Sequence, residues 1–434
     1  MRKQGMVMVL FFALIGCCVS ASYGEVNFSV EGRNTASVAG NEMLVFRLGN
    51  LVAGDFAVKV YDSSGNCVRT LIEKYSTDTQ LEVVWNLRDT YRRTVQKGNY
   101  QVKYVAGLRL VLDKSFGKDG VLTGFSSPKQ LCLDSQGNIY VLDFKAGAIF
   151  KFKPDGSPAN DFNGTNKFAA PSAPYWQAIA VDEEGKIYGA AGHEIYVYDG
   201  RGTKMYYIGG FFGDDPEWKT PNRGGFAYPS WIGLNADFHI YASSPGYTRM
   251  AAWDRRKPMK EGGLWMHAGA GCPGDAGDTD GNNIIYLATA YYTNKSGIAK
   301  FIDKGNTCEF VKTINTYYDK TQKNIGYMAD INGVSFDGAG GIWVVERAPV
   351  KIIKIFDTGF RFLPVTSFGL PGNDAEKIEF ITPRGITASR DGRYLFIVED
   401  GDPISATNST TGLARIVKYR IEYETEKQLS VTVR

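Results

Sequence analysis

Leu131-Cys132-Leu133-Asp134-Ser135-Gln136-Gly137-Asn138-Ile139-Tyr140-Val141 reads as a short apolar strand, a polar turn and a second strand. The chemistry is local: Asp134 is placed to accept backbone N–H bonds where the turn begins, and Gly137 takes the positive φ that closes a tight hairpin. The unit recurs in Ile179-Ala180-Val181-Asp182-Glu183-Glu184-Gly185-Lys186-Ile187-Tyr188 and in Val334-Ser335-Phe336-Asp337-Gly338-Ala339-Gly340-Gly341-Ile342-Trp343-Val344. Weaker copies turn at Asn235-Ala236-Asp237-Phe238, Asp278-Thr279-Asp280-Gly281 and Ser389-Arg390-Asp391-Gly392. A third strand follows, as in Ala148–Phe152, Ile195–Tyr198, Ile352–Phe356 and Ile416–Tyr419. The spacing of roughly 50 residues suits a four-stranded propeller blade and is long for a solenoid turn. Six copies predict a six-bladed β-propeller over residues 109–434.

Pro128-Lys129-Gln130-Leu131, Asp134, Gly137 and Tyr140-Val141-Leu142-Asp143, echoed by Pro383-Arg384-Gly385-Ile386, resemble the NHL repeat family. That resemblance implies that the carboxylate ending a blade's second strand accepts loop N–H groups. Upstream, Leu44–Leu48, Phe56–Tyr61, Leu81–Trp85 and Tyr100–Tyr104 alternate with period two between polar turns, which predicts a β-sandwich over residues 25–108. Val60-Tyr61-Asp62-Ser63-Ser64-Gly65-Asn66-Cys67-Val68-Arg69-Thr70-Leu71, Trp85-Asn86-Leu87-Arg88-Asp89 and Val95-Gln96-Lys97-Gly98-Asn99-Tyr100 resemble the FlgD-type immunoglobulin-like domain of bacterial exported proteins, with Leu87 and Arg93 standing where that family usually carries turn glycines. The expected fold is therefore all-β: an Ig-like sandwich followed by a propeller. Leu108–Phe116 and Leu429–Val433 compete to supply the outer strand that closes the ring.

The 434 residues include 50 Gly, 25 Tyr, 25 Phe and 7 Trp, as strands joined by tight turns require. With 49 basic and 46 acidic residues, the charge is too balanced for an electrostatic nucleic-acid binder. The composition also excludes a disordered chain and a multi-span membrane protein.

Arg2 and Lys3 precede an uncharged apolar run from Met6 to about Ile15, too short to span a bilayer and matching a secretory leader over residues 1–24. Val19-Ser20-Ala21 offers an ordinary cleavage site, while Leu14-Ile15-Gly16-Cys17 resembles a bacterial lipobox that would lipidate Cys17. The chain is expected in the periplasm, at the cell surface or outside the cell. Export permits disulfides, and Cys272 with Cys308 is the expected pair. Cys132 reads as a buried thiol.

Aligning the repeats predicts a ring of residues at one mouth of the channel. The position after the proline column holds Lys129, Gln177, Ser230, Asn332 and Arg384, with Asp275 or its neighbour in the irregular fourth blade. The second strands end in Asp143, Ala191, Ser244, Thr289, Glu346 and Glu399, with Trp176 and Trp231 beside the ring. Two readings are open. In one, the charges pair within blades, Lys129 with Asp143 and Arg384 with Glu399, and the carboxylates also accept loop N–H groups. In the other, the mouth binds a glycan, a peptide or a small anion, with the tryptophans as stacking faces.

Fold alone does not decide catalysis. Six-bladed relatives include metal-dependent lactonases and lyases, and a lactonase-like site would hold calcium on Asp143, Asn332, Glu346 and Glu399. His193, His239 and His267 are too dispersed for a zinc pattern. The acidic stretch Asp275–Asn282 fails the EF-hand spacing and reads as a turn. The preferred expectation is an exported, non-catalytic binding or scaffold protein, with an extracellular ligand or an envelope protein as partner. The alternative is a metal-dependent envelope hydrolase or lyase.

Overall fold

Alternation sets the first layers. Along Leu44–Gly49, Leu44, Phe46 and Leu48 are buried while Arg47 faces water, the pattern of a strand with one face on a core. This strand pairs antiparallel with Asn27–Val30 and Gln80–Trp85. A second sheet holds Cys67–Ser76, Gly54–Tyr61, Gly98–Leu112 and Arg415–Val433 in that order. Both sheets contribute to one core that includes Phe46, Val58, Val60, Trp85, Val102 and Val431. The computed structural model describes residues 25–31, 35–39, 42–169, 176–209, 228–244, 249–257, 263–268, 276–289, 296–400, 403–405, 408–411 and 413–434. The expected leader with Cys17, and Cys272 of the expected disulfide, lie outside them.

Five four-stranded sheets follow among the described residues, and a sixth blade, Pro383–Ala388, Tyr394–Glu399, Arg415–Val433 and Gly98–Leu112, continues into the second sheet above. Their inner strands are Pro128–Leu133, Trp176–Val181, Trp231–Leu234, Gly277–Thr279, Ile331–Phe336 and Pro383–Ala388, which we number as blades one to six. The protein is all-β, and the 3-10 turn Ala375–Lys377 is the only helical element among the described residues. No helix there is long and apolar enough to cross a membrane. The hairpin chemistry is the one expected. Asp134 Oδ1 accepts from the N–H groups of Gln136 and Asn138, Asp182 from Glu184 and Lys186, and Asp337 from Ala339 and Gly341. Asp280 does the same for Asn282 and Ile284, so this part of the acidic stretch is a turn.

Blade six closes the ring with a strand from the start of the chain. Leu110 pairs with Ile421 and Leu108 with Tyr423, which makes Leu108–Leu112 the outer strand. Leu429–Val433, the other candidate, pairs with Gly98–Val102 in the N-terminal layer. Two long strands, Gly98–Leu112 and Arg415–Val433, thus belong to both parts of the molecule, and the expected boundary at residue 108 falls inside a continuous strand. The ladder skips Gly107 and Glu424 at the joint. Gly107 has φ +70° there, and a Cβ on it would lie 2.8 Å from the Glu424 carboxylate, so the joint requires glycine.

Side chains fasten the two parts beside this joint. Asp55 accepts the Leu108 N–H, and Tyr75 stacks on Tyr318 with ring centroids 3.5 Å apart. Deeper in, Lys354 of blade five donates to Glu73 Oε1 at 2.6 Å and lies 3.6 Å from Asp337. Tyr423 Oη also donates to Glu73, at 3.3 Å. Burial would raise the Glu73 carboxyl, but Lys354 and Lys59 outweigh it and hold it below its ordinary value.

Candidate functional site

The inner strands surround a channel of about 880 Å³. Its mouth is shaped by a backbone irregularity repeated from blade to blade. In blade one Asp143 pairs with Pro128 and Leu142 with Gln130, so Lys129 has no residue opposite it. The same one-residue excess skips Gln177 in blade two, Asn332 in blade five and Arg384 in blade six. Each is the extra residue of a β-bulge, a device that breaks alternation and re-aims a side chain. All four line the channel, as does Ser230, which directly precedes the inner strand of blade three. The Asn332 amide nitrogen and the Ser230 hydroxyl have no hydrogen-bond partner. The blades pack tightly at this level: a Cβ on Gly385 would lie 2.9 Å from the Lys129 carbonyl, and one on Gly333 2.8 Å from the Ile386 nitrogen. Asn332, Arg384 and Lys129 therefore stand on three successive blades.

The carboxylates expected at this mouth are elsewhere. Asp143, Glu346 and Glu399 are buried at the ends of second strands, behind the inner strands that form the wall. Asp143 accepts from the N–H groups of Ser126, Ser127 and Ala146 at 2.6, 2.9 and 3.1 Å. Glu399 accepts from Ile381 and Thr382 and pairs with Arg415 at 2.7 Å. Glu346 accepts from Ala329 N–H, and its other oxygen has no partner. The acceptance of loop N–H groups matches the expectation, whereas the pairs Lys129–Asp143 and Arg384–Glu399 do not form, and Arg384 pairs in its own blade with the adjacent Asp400. Lys129 has its ammonium 3.8 Å from the Phe144 ring centroid, and Arg384 donates through Nε to Asp400 at 3.2 Å. The physical reason is that a second-strand end sits one layer back, where it meets the incoming loop before it can meet the lumen.

The same geometry removes the expected calcium ligands. Asp143 and Glu399 are committed to backbone N–H groups and Arg415, and only Asn332 of the four lines the channel. Among the described residues no three His, Cys, Asp or Glu side chains converge, so these residues do not fit the cation.

The tryptophans are corrected as well. Trp176 is 0% exposed and lies across Gly189, where a Cβ would come within 2.1 Å of the indole. Trp231 touches the channel wall but is 2% exposed, its ring held over Gly233 and Gly277. Both fill the space between strands, and neither offers a stacking face. Close approach of an indole is why glycine stands at 189.

Sequence reasoning missed several wall residues. Cys132, expected to be buried, is half-buried and lines the channel. Side chains also tie neighbouring blades together: Gln130 Oε1 accepts Ile179 N–H at 3.0 Å, Thr387 donates to the Leu131 carbonyl at 2.9 Å, and Ser335 accepts Ala388 N–H at 2.9 Å. Arg390 spans three blades, donating to the carbonyls of Thr279 and Phe336 at 2.9 and 3.1 Å and to Asp278 at 3.2 Å. Nothing in the turn sequence around Arg390 signals this reach. His239 is hydrogen-bonded to Asp303 and lies off the channel wall.

No protein-family model and no curated protein matches the sequence. Among solved structures the chain is similar to virginiamycin B lyase from Staphylococcus aureus, with 10% identity over 73% of this chain and 99% of that one and a TM-score of 0.43. It is similar to a gluconolactonase from Xanthomonas campestris, with 14% identity over 73% and 95% and a TM-score of 0.42. A protein of unknown function from Bacteroides thetaiotaomicron is similar over 91% of this chain and 98% of its own, with 13% identity and a TM-score of 0.44.

Proposed function

We propose that the protein is an exported binding protein whose propeller takes a small extracellular ligand into the channel mouth, with the N-terminal domain serving as its rigid mount. The leader sequence supports export. The observation that carries the ligand site is the repeated bulge, which turns Lys129, Gln177, Asn332 and Arg384 toward one cavity. A wall that needed only to pack would keep regular pairing and apolar side chains, and a bulge at the same position in four blades serves presentation. Catalysis through a cation on Asp143, Asn332, Glu346 and Glu399 is not part of this reading, because those side chains do not assemble. A panel of lactones and esters assayed with the purified protein tests that alternative directly.

Thermal-shift screening of sugars, sugar acids and short peptides tests the site. A ligand at one hundred times its Kd adds roughly 2.7 kcal/mol to the folded state and raises Tm accordingly. The shift is expected in the wild type and is expected to vanish in the double variant Gln177→Leu, Asn332→Leu. An equal shift in both proteins would place the ligand outside the mouth.

A further inference from the structure

We infer that the surface where the turn at residues 88–93 meets blade five is a docking site for an acidic polysaccharide, a chain of uronate-type sugars. This goes beyond the channel reading, and none of the residues involved lines the channel. The turn follows Gln80–Trp85 in the N-terminal layer and reaches Phe360, which stands between the blade-five strands Val350–Asp357 and Phe362–Phe368. The Arg92 guanidinium lies 5.6 Å from the Phe360 ring centroid, and a Cβ on Gly359 would lie 2.8 Å from one of its terminal nitrogens. Lys312, in the outer strand Cys308–Ile314 of blade four, donates to the Phe360 carbonyl. Both parts of the molecule therefore contribute to one patch.

Its cations lack counter-charges. Arg69 donates to Asn86 Oδ1 at 3.1 Å and to the Arg88 carbonyl at 3.3 Å, and Arg88 donates to the Arg92 carbonyl at 2.8 Å. With Arg92 and Lys312 these make four cations, none of them ion-paired among the described residues. The nearby carboxylates are committed: Asp89 to Arg93 at 2.8 Å, Asp357 to Lys300, and Asp280 to the N–H groups of Asn282 and Ile284. Burial, then Arg92 and Arg88, lower the Arg69 pKa against the pull of Asp89, as crowded like charges do. Arg92 also holds φ +64°, a conformation that favours glycine, so presenting its side chain carries a backbone cost. Aromatic rings stand among these cations. Phe360 is 83% exposed, and the Arg93 guanidinium lies 4.9 Å from the ring centroid of the exposed Tyr91. Sugar rings can lie on such faces while their carboxylates meet the guanidinium groups. An anionic membrane fits less well, because driving either ring into hydrocarbon would drag its guanidinium partner along.

Isothermal titration of the purified protein with a galacturonate oligomer and with its methyl ester tests this, beside co-sedimentation with phosphatidylglycerol vesicles. The acid oligomer is expected to bind at least about tenfold tighter than the uncharged ester, and added sodium chloride is expected to weaken it. The double variant Arg92→Gln, Lys312→Gln is expected to weaken the acid oligomer by about tenfold or more. Phe360→Ala, at an exposed position that folding does not depend on, is expected to weaken it by about threefold or more and keeps the test decisive if the double variant fails to fold. The inference is overturned if the ester matches the acid, if the folded variants bind within about twofold of the wild type, or if no binding occurs at millimolar uronate. Vesicles that bind more tightly than the oligomer would also overturn it, in favour of an anionic membrane.

Discussion

Lys354→Ala is expected to lower the free energy of unfolding by about 3–5 kcal/mol, measured by denaturant titration of tryptophan fluorescence. Lys354 and Glu73 are both almost fully buried, 281 residues apart, one in blade five and the other in the N-terminal layer. Asp337 lies 3.6 Å from the same ammonium. Burial opposes the charge on Lys354, yet Glu73 and Tyr423 hold its affinity for the proton above the ordinary value. Removing the cation leaves two buried carboxylates to be neutralised or flooded, and that penalty exceeds the worth of the pair itself. A double variant, Glu73→Leu with Lys354→Met, removes this pair and is expected to recover part of the loss, because Lys59 and Asp337 remain as buried charges that lose a partner. A cost below about 1 kcal/mol for Lys354→Ala would show that the N-terminal layer is not fastened through this cluster.

The second large effect is a pH dependence. Burial, the dominant influence, raises the Glu346 carboxyl from its ordinary 4.5 to about 7, against the Ala329 N–H and Lys351, with Asp330 adding to the rise. The charged neighbours are themselves paired, Lys351 with Asp319 at 2.9 Å and Asp330 with Arg347 at 2.9 Å. The folded protein therefore holds this proton more tightly than the unfolded chain does. The stabilisation is complete below about pH 4.5 and is lost as pH rises through 7, a change of roughly 3 kcal/mol. Glu346→Gln keeps the shape and removes the titration. The wild type is expected to lose that stability relative to the variant between pH 5 and pH 8, and parallel stability curves would contradict the assignment.

Much of the fold was legible because its signals are local. Asp134, Asp182 and Asp337 announce hairpins through bonds to residues two and four positions on. Aligning those hairpins placed Asp143, Ala191, Glu346 and Glu399 at or beside second-strand ends, where they are. The bulges were not legible, because a bulge is a mismatch between two strands and leaves no mark in either one. For the same reason repeat alignment names the wrong partners for Lys129 and Arg384: Asp143 turns to loop N–H groups, Glu399 takes Arg415, and Arg384 takes Asp400, one residue beyond the expected carboxylate. Trp176 and Trp231 carry no sequence mark that separates a stacking face from a packed indole. Only the glycines across from them, at 189, 233 and 277, reveal which they are. The closing strand stayed ambiguous because Leu108–Leu112 and Leu429–Val433 are equally strand-like, and the long-range pairing decides between them.

The most direct measurement is a crystal structure of the protein soaked with the strongest hit from the ligand screen. The predicted result is density inside the channel mouth, within hydrogen-bonding distance of Arg384 or Lys129 and of Asn332 or Gln177. Density for the ligand on another surface, with the mouth unoccupied, would contradict the assignment of the bulge residues to binding.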